Sequence, residues 1–240
     1  MPENTPHTPS HHTGWVSRPN PHLYSPHNIA RYGDLIVKKS HRWAWKLDND
    51  QLQDLYLRYV SAQHLEIGPA DLYFLDHTPA PAMEHLWHVD VLDINRAPLE
   101  AAQHKLKGRA QAQVHEHDVL ALPWPTKKHH YQSLAIGNVL HCVPGAGVSA
   151  KGSAIQGMAE ALAKDGLAWG YTLTGSQDPM TRTNPLARAL MWHYNKADNV
   201  FSNRGDRLAD LERELKMYFA SVQVWPMGAA AVFVVREPVR

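Results

Sequence analysis

Asp93 closes the apolar run Trp87-His88-Val89-Asp90-Val91-Leu92 and follows Gly68 by 25 residues. A carboxylate at a strand end, at that distance from a glycine turn, is placed to accept hydrogen bonds from both hydroxyls of a ribose. The other reading is an exposed strand-end acid. Gly68 lies in Glu66-Ile67-Gly68-Pro69-Ala70-Asp71-Leu72-Tyr73, between the apolar His64-Leu65-Glu66-Ile67 and Tyr73-Phe74-Leu75. That is where a strand-turn-helix cofactor loop carries its glycines, and each of them permits an unusual backbone angle or a close approach of ligand to main chain. Only one glycine is present. A leucine at position 72 takes up space a ligand would otherwise use, so the site is either dead or holds its ligand differently.

Two more side chains can reach the same centre. Asn138 follows Leu134-Ala135-Ile136-Gly137, and Tyr171 lies within Leu167–Leu173, so both stand at the ends of neighbouring strands. An amide can orient an amine, and a tyrosine face against a cation is worth about 0.5–2 kcal/mol. His141 and His193 are candidate general bases, each read equally well as a histidine with no catalytic role. His115-Glu116-His117 would place two imidazoles on one face of a strand, but a third ligand is not apparent and no metal is expected.

The elements that must position these residues alternate. Residues 1 to about 22 are rich in Pro, His, Asn, Thr and Ser without apolar period, which predicts a flexible arm. From Tyr24 to Trp45 aromatic and basic residues increase, including Tyr32 and Trp43, as a lid over a pocket or as packing. Residues 1–45 are therefore expected to form an N-terminal arm or lid, closing over ligand from Trp15 onward, and residues 46–240 the ligand-binding domain. Asp48-Asn49-Asp50 caps a helix with Leu52, Leu55, Tyr56 and Tyr59 at helical spacing. Pro98 opens and Gly108 closes another. Strands are expected over 87–93, 113–118, 134–140 and 167–173, with helices near 148–163, 185–196 and 207–219. The chain then ends in two strands, 222–225 and 229–235, joined around Pro226-Met227-Gly228. This alternation implies an α/β fold with a mostly parallel, doubly wound sheet.

At 240 residues, 44% of them hydrophobic, the chain can bury a single core. Its 24 basic and 23 acidic residues form no stripe, so a small-molecule substrate is expected rather than nucleic acid. One cysteine, Cys142, excludes an internal disulfide framework. No apolar span long enough for a membrane and no leader are visible, which makes the cytoplasm the expected compartment and a monomer or homodimer the expected state.

With its flanks, the loop at Gly68 resembles the first motif of class I S-adenosylmethionine (SAM) dependent methyltransferases, acidic-x-Gly-x-Gly-x-Gly. Glu66 matches the acid and Gly68 the first glycine, while Ala70 and Leu72 stand at the second and third. Asp118-Val119 resembles the motif in which an acid takes the adenine amino group and the next main-chain amide meets the ring. Asn138-Val139-Leu140-His141-Cys142-Val143-Pro144-Gly145 is similar to the segment after the fourth strand, which reads Leu-Leu-His-Cys-Leu-Pro-Gly in this group. The resemblance runs from about Asp48 to Pro238 and is strongest to small methyltransferases of microbial secondary metabolism. It implies a Rossmann-like fold with an antiparallel C-terminal hairpin. It also implies SAM bound by Glu66, Gly68, Ala70, Leu72, Asp93, Ile94, Asp118, Val119 and Asn138.

Departures from the family pattern fall on the amino-acid half of SAM: Ala70, Leu72, and Tyr171 where a small residue such as serine is usual. With Tyr171 and Asn138 in those places, the chain looks similar to azetidine-2-carboxylate synthases, methyltransferase-like enzymes that cyclise SAM. The reaction this resemblance implies is attack of the methionyl α-amine on its own Cγ, giving azetidine-2-carboxylate and methylthioadenosine. The alternative is methyl transfer to a small nucleophile held under the arm and residues 176–206, with His141 or His193 as base. A degenerate fold retained as a binding or scaffold subunit is the non-enzymatic reading; Asp93, Asp118 and Asn138 argue against it.

Overall fold

Strand residues alternate between two apolar layers, and this periodicity of two organises the chain. In the computed structural model, which describes residues 16–80, 87–196 and 200–239, seven strands form one sheet in the order β3-β2-β1-β4-β5-β7-β6. These are β1 (Gln63–Ile67), β2 (His88–Asp93), β3 (Gln111–Glu116), β4 (Tyr131–Gly137), β5 (Leu162–Leu173), β6 (Phe219–Met227) and β7 (Ala230–Pro238). The first five run parallel, and β7 pairs antiparallel with both β5 and β6. Val89, Val91, Trp169 and Tyr171 face one core layer, and Leu65, Ile67, Leu92 and Ala168 the other. Pro226, which cannot donate to a ladder, lies in the edge strand β6.

The helices cover both faces. α1 (Pro26–Ala30), α2 (Asn49–Tyr59), α3 (Tyr73–Asp76) and α4 (Arg96–Leu106) precede β3, and α5 (Gly152–Ala161), α6 (Pro185–Tyr194) and α7 (Leu208–Tyr218) come later. Asp48 caps α2 by accepting the main-chain N–H groups of Asp50 and Gln51. A buried ion pair, Lys151 Nζ to Asp206 Oδ2 at 2.5 Å, ties the turn before α5 to the loop before α7.

Element types match the sequence expectations, with shifted boundaries and two additions, α1 and the segment that follows it. Residues Gly33–Trp45 form a π-helix, which the sequence reading did not assign. Val37, His41, Ala44 and Trp45 are its buried side, a helical spacing that the histidine conceals because it counts as polar. Trp45 also joins the main core and its carbonyl accepts Ala229 N–H, so the C-terminal end of the segment is packed into the domain. β4 ends at Gly137, three residues earlier than expected, because Asn138 turns to φ +57°, its N–H making a last bond to the Tyr171 carbonyl of β5.

Candidate cofactor and active site

Strand order reverses between β1 and β4, and the loops after those two strands bound a crevice, as expected for ligand sites in open α/β sheets. One lobe is lined by Ser17, Tyr24, Gly68, Asp93, Ile94, Asp118, Val119 and Asn138 among others. The second is lined by Tyr32, Tyr56, Glu66, Ala70, Leu72, Phe74 and Tyr171, and the lobes share Tyr32, Gly68, Ala70 and Gly137. All the residues assigned to the site from sequence border this crevice except the two candidate bases, His141 and His193.

The loop after β1 keeps a glycine-type trace without the glycines. Gly68, Ala70 and Leu72 have φ of +64°, +48° and +60°, the left-handed region that costs a non-glycine residue about 1 kcal/mol or more. A Cβ at Gly68 would stand 2.1 Å from Val139 Cγ2, so main chain alone passes there. Leu72 is 2% exposed and belongs to the core layer beneath the loop. The expectation that its side chain simply occupies ligand space is therefore corrected: most of it is packed inward.

Asp93 is almost fully buried at the end of β2, and Asn95 donates both its main-chain and side-chain N–H to Oδ1, at 2.7 and 3.1 Å. Neither of those bonds uses Oδ2. Burial raises the carboxyl pKa to about 6. Glu66 accepts Tyr56 Oη–H at 2.9 Å on one oxygen and lies 3.0 Å from His64 Nε2 on the other. Asp118 accepts Leu120 N–H on Oδ1 and Ser17 N–H, from the arm, on Oδ2 at 2.8 Å. Asn20 N–H likewise binds Asn95 Oδ1.

The second lobe is an aromatic box. The Tyr171 ring lies edge-on to His41 at 5.8 Å and to Phe74 at 6.3 Å. Gly137 makes room for it, since a Cβ there would approach Tyr171 Cε1 to 2.7 Å. Asn138 Nδ2 lies 3.1 Å from His41 Nε2 and 3.4 Å from Tyr171 Oη, while its Oδ1 is buried without a partner. Burial pushes the Tyr32 and Tyr171 hydroxyls up and Cys142 up to about 12, so these groups stay protonated.

Both candidate bases are corrected. His141 is 3% exposed, packs edge-on against Phe201 at 4.6 Å, and its Nδ1 faces Thr172 Oγ1 and Leu173 N–H rather than the crevice. Burial, then the Lys151 charge, lowers its pKa to about 3. His193 is exposed on α6, and no described residue of 176–206 lines either lobe. His115 and His117 engage Asp90 and the Ala121 carbonyl separately, and no metal-ligand group of three occurs among the described residues. No helix among them is long and apolar enough to cross a membrane. The residues that sequence reasoning missed are His41, Asn49 and Asn95, which do not occur in a recognisable motif.

Of the arm expected over residues 1–45, with closure from Trp15 onward, residues 1–15 lie outside the described residues. From Ser17 onward the arm touches Asp118 and Asn95 through main-chain N–H groups. Limited proteolysis is expected to cut the arm more slowly with SAM than without it. Equal rates would make residues 16–24 a static wall.

Two observations of the crevice fit SAM: bare main chain at Gly68 beside a buried acid at Asp93, and an unpartnered carbonyl oxygen at Asn138. No family model matches the chain. A protein described as putative and uncharacterised, YbcY of Escherichia coli (strain K12), is 30% identical over 196 residues, 81% of this chain and 95% of that one. Demethylluteothin O-methyltransferase of Streptomyces thioluteus is 27% identical over 202 residues, 84% of each chain. The structure of the N-methyltransferase NodS from Bradyrhizobium japonicum WM9, in complex with S-adenosylhomocysteine, superposes with a TM-score of 0.54 at 16% identity, covering 80% of this chain and 86% of that one. The motifs, the sheet order and these relatives agree: the chain belongs to the class I SAM-dependent methyltransferase family.

Proposed function

We propose that the protein binds SAM in the crevice and transfers its methyl group to an oxygen, nitrogen, sulfur or carbon nucleophile of a small secondary metabolite. The observation that carries the use of SAM is the buried Asp93 across from the glycine-type loop at Gly68, at the reversal of strand order. Relatives named as O-methyltransferases support the transfer. When bound, SAM supplies an electrophilic carbon on a sulfonium. The chain contributes recognition of the ribose by Asp93, an acceptor for adenine at Asp118, and aromatic faces around the amino-acid half that exclude water.

A second reading, cyclisation of SAM to azetidine-2-carboxylate and methylthioadenosine, is favoured by one feature. Among the described residues the box of Tyr32, Tyr56, Phe74 and Tyr171 receives nothing from 176–206, and neither expected base reaches it. An internal nucleophile needs no acceptor pocket, and an α-amine with a pKa of about 8 needs no strong base. Holding nucleophile and electrophile at near-attack geometry can supply roughly 7 kcal/mol or more.

Purified protein incubated with SAM alone and followed by mass spectrometry separates the two. Methyl transfer is expected to give S-adenosylhomocysteine only after a small nucleophile is added. Azetidine-2-carboxylate formed together with methylthioadenosine, above the no-protein control, would replace that reading with cyclisation. Absence of SAM binding by calorimetry would overturn both.

A further inference from the structure

We infer that His41 is a positioning residue: with Asn49 it locks the Asn138 amide so that Oδ1, not Nδ2, is offered to the amino group of the bound ligand. This rests on the reading that SAM occupies the crevice. The lock can be followed atom by atom. Asn49 Nδ2 donates to the Val37 carbonyl at 2.7 Å, which leaves Asn49 Oδ1 toward His41 Nδ1, also at 2.7 Å. Amide oxygen only accepts, so Nδ1 of His41 carries the proton. His41 is fully buried on the π-helix, and burial lowers its pKa to about 4, so the ring is neutral and Nε2 carries only a lone pair. Asn138 must then donate from Nδ2 to His41 Nε2, at 3.1 Å.

The consequence is the orientation of the other end of the amide. Asn138 Oδ1 is buried and unpartnered on a residue that lines the crevice. A buried carbonyl without a donor is costly, and an ammonium or amine from the ligand would satisfy it. The motif acid is poorly placed to do this instead, because both oxygens of Glu66 already face Tyr56 and His64. Phe74 stacked at 6.5 Å and Tyr171 at 5.8 Å keep the imidazole in place.

Calorimetry with SAM and with methylthioadenosine, which lacks the amino acid, tests the assignment on wild type, His41→Phe and His41→Gln. His41→Phe keeps a ring but removes the acceptor, and it is expected to weaken SAM about 10-fold or more while methylthioadenosine changes less than about 2-fold. His41→Gln, whose Oε1 can accept the Asn138 N–H, is expected to recover part of the loss. Should His41→Phe lack a cooperative melt, Asn49→Ala replaces it, with a smaller loss again confined to SAM. Equal losses for both ligands, or none for SAM, overturn the inference while leaving the SAM reading standing. Wild type that binds neither ligand overturns the SAM reading and the inference with it.

Discussion

Tyr171→Ala is expected to weaken SAM binding by about 10- to 30-fold, the equivalent of roughly 1.5–2 kcal/mol from a desolvated cation facing an aromatic ring. Tyr171 is 5% exposed and lines the lobe assigned to the amino-acid half, with its ring perpendicular to those of His41 and Phe74. The cation is present before reaction and neutralised during it, so the effect belongs to SAM affinity and reaches kcat/KM through it. S-adenosylhomocysteine, a neutral thioether, should lose much less. Tyr171→Phe retains the π face and is expected to bind SAM within about 3-fold of wild type, since the hydroxyl adds only a 3.4 Å contact to Asn138. Truncating so buried a ring also lowers stability, by about 3–5 kcal/mol, so a melting curve must accompany each titration. Parallel losses for SAM and S-adenosylhomocysteine would place the sulfonium elsewhere.

Asp93→Ala is expected to weaken SAM binding by roughly 1.5–3 kcal/mol, the scale of hydrogen bonds to a charged acceptor. Unchanged affinity in a folded variant would remove Asp93 from the site. The group also predicts a pH dependence, because burial raises its pKa to about 6 from an unfolded value near 4. In the unliganded protein its contribution to stability is fully present below the unfolded pKa and is lost as pH rises through 6. Ribose hydroxyls offered to the carboxylate reverse that loss, so SAM affinity should fall as pH drops from about 7.5 to 5. Thermal melts with and without SAM check it: the ligand-induced gain in Tm should be larger at the higher pH, and Asp93→Asn should flatten the difference. A gain independent of pH in wild type would mean that another acceptor holds the nucleoside.

The fold was legible because apolar runs with a period of two, capped amphipathic helices and a terminal hairpin are local signals that survive in the structure, although the hairpin turns at Gly228-Ala229 and Pro226 and Met227 stay in β6. The candidate positions Asp93, Asp118 and Asn138 were legible for the same reason, since a strand end fixes which residue meets the crevice. Backbone angle was not legible. Ala70 and Leu72 adopt the left-handed conformation that their residue types disfavour, and only the packing of Leu72 into the core beneath the loop makes this tolerable. Side-chain direction was not legible either: His141 follows Asn138 by three residues yet turns toward Phe201 and β5, while His41, some 97 residues from Asn138, reaches its amide. The sequence by itself determined the order of elements and, to within two or three residues, the ends of β2, β3 and β4, and hence the acids and amide at the mouth of the sheet. Which histidine meets that amide, and which face of the amide the ligand encounters, depended on long-range packing and on a chain of buried hydrogen bonds. Such bonds have no sequence period, because each is set by where two distant segments come to rest against one another.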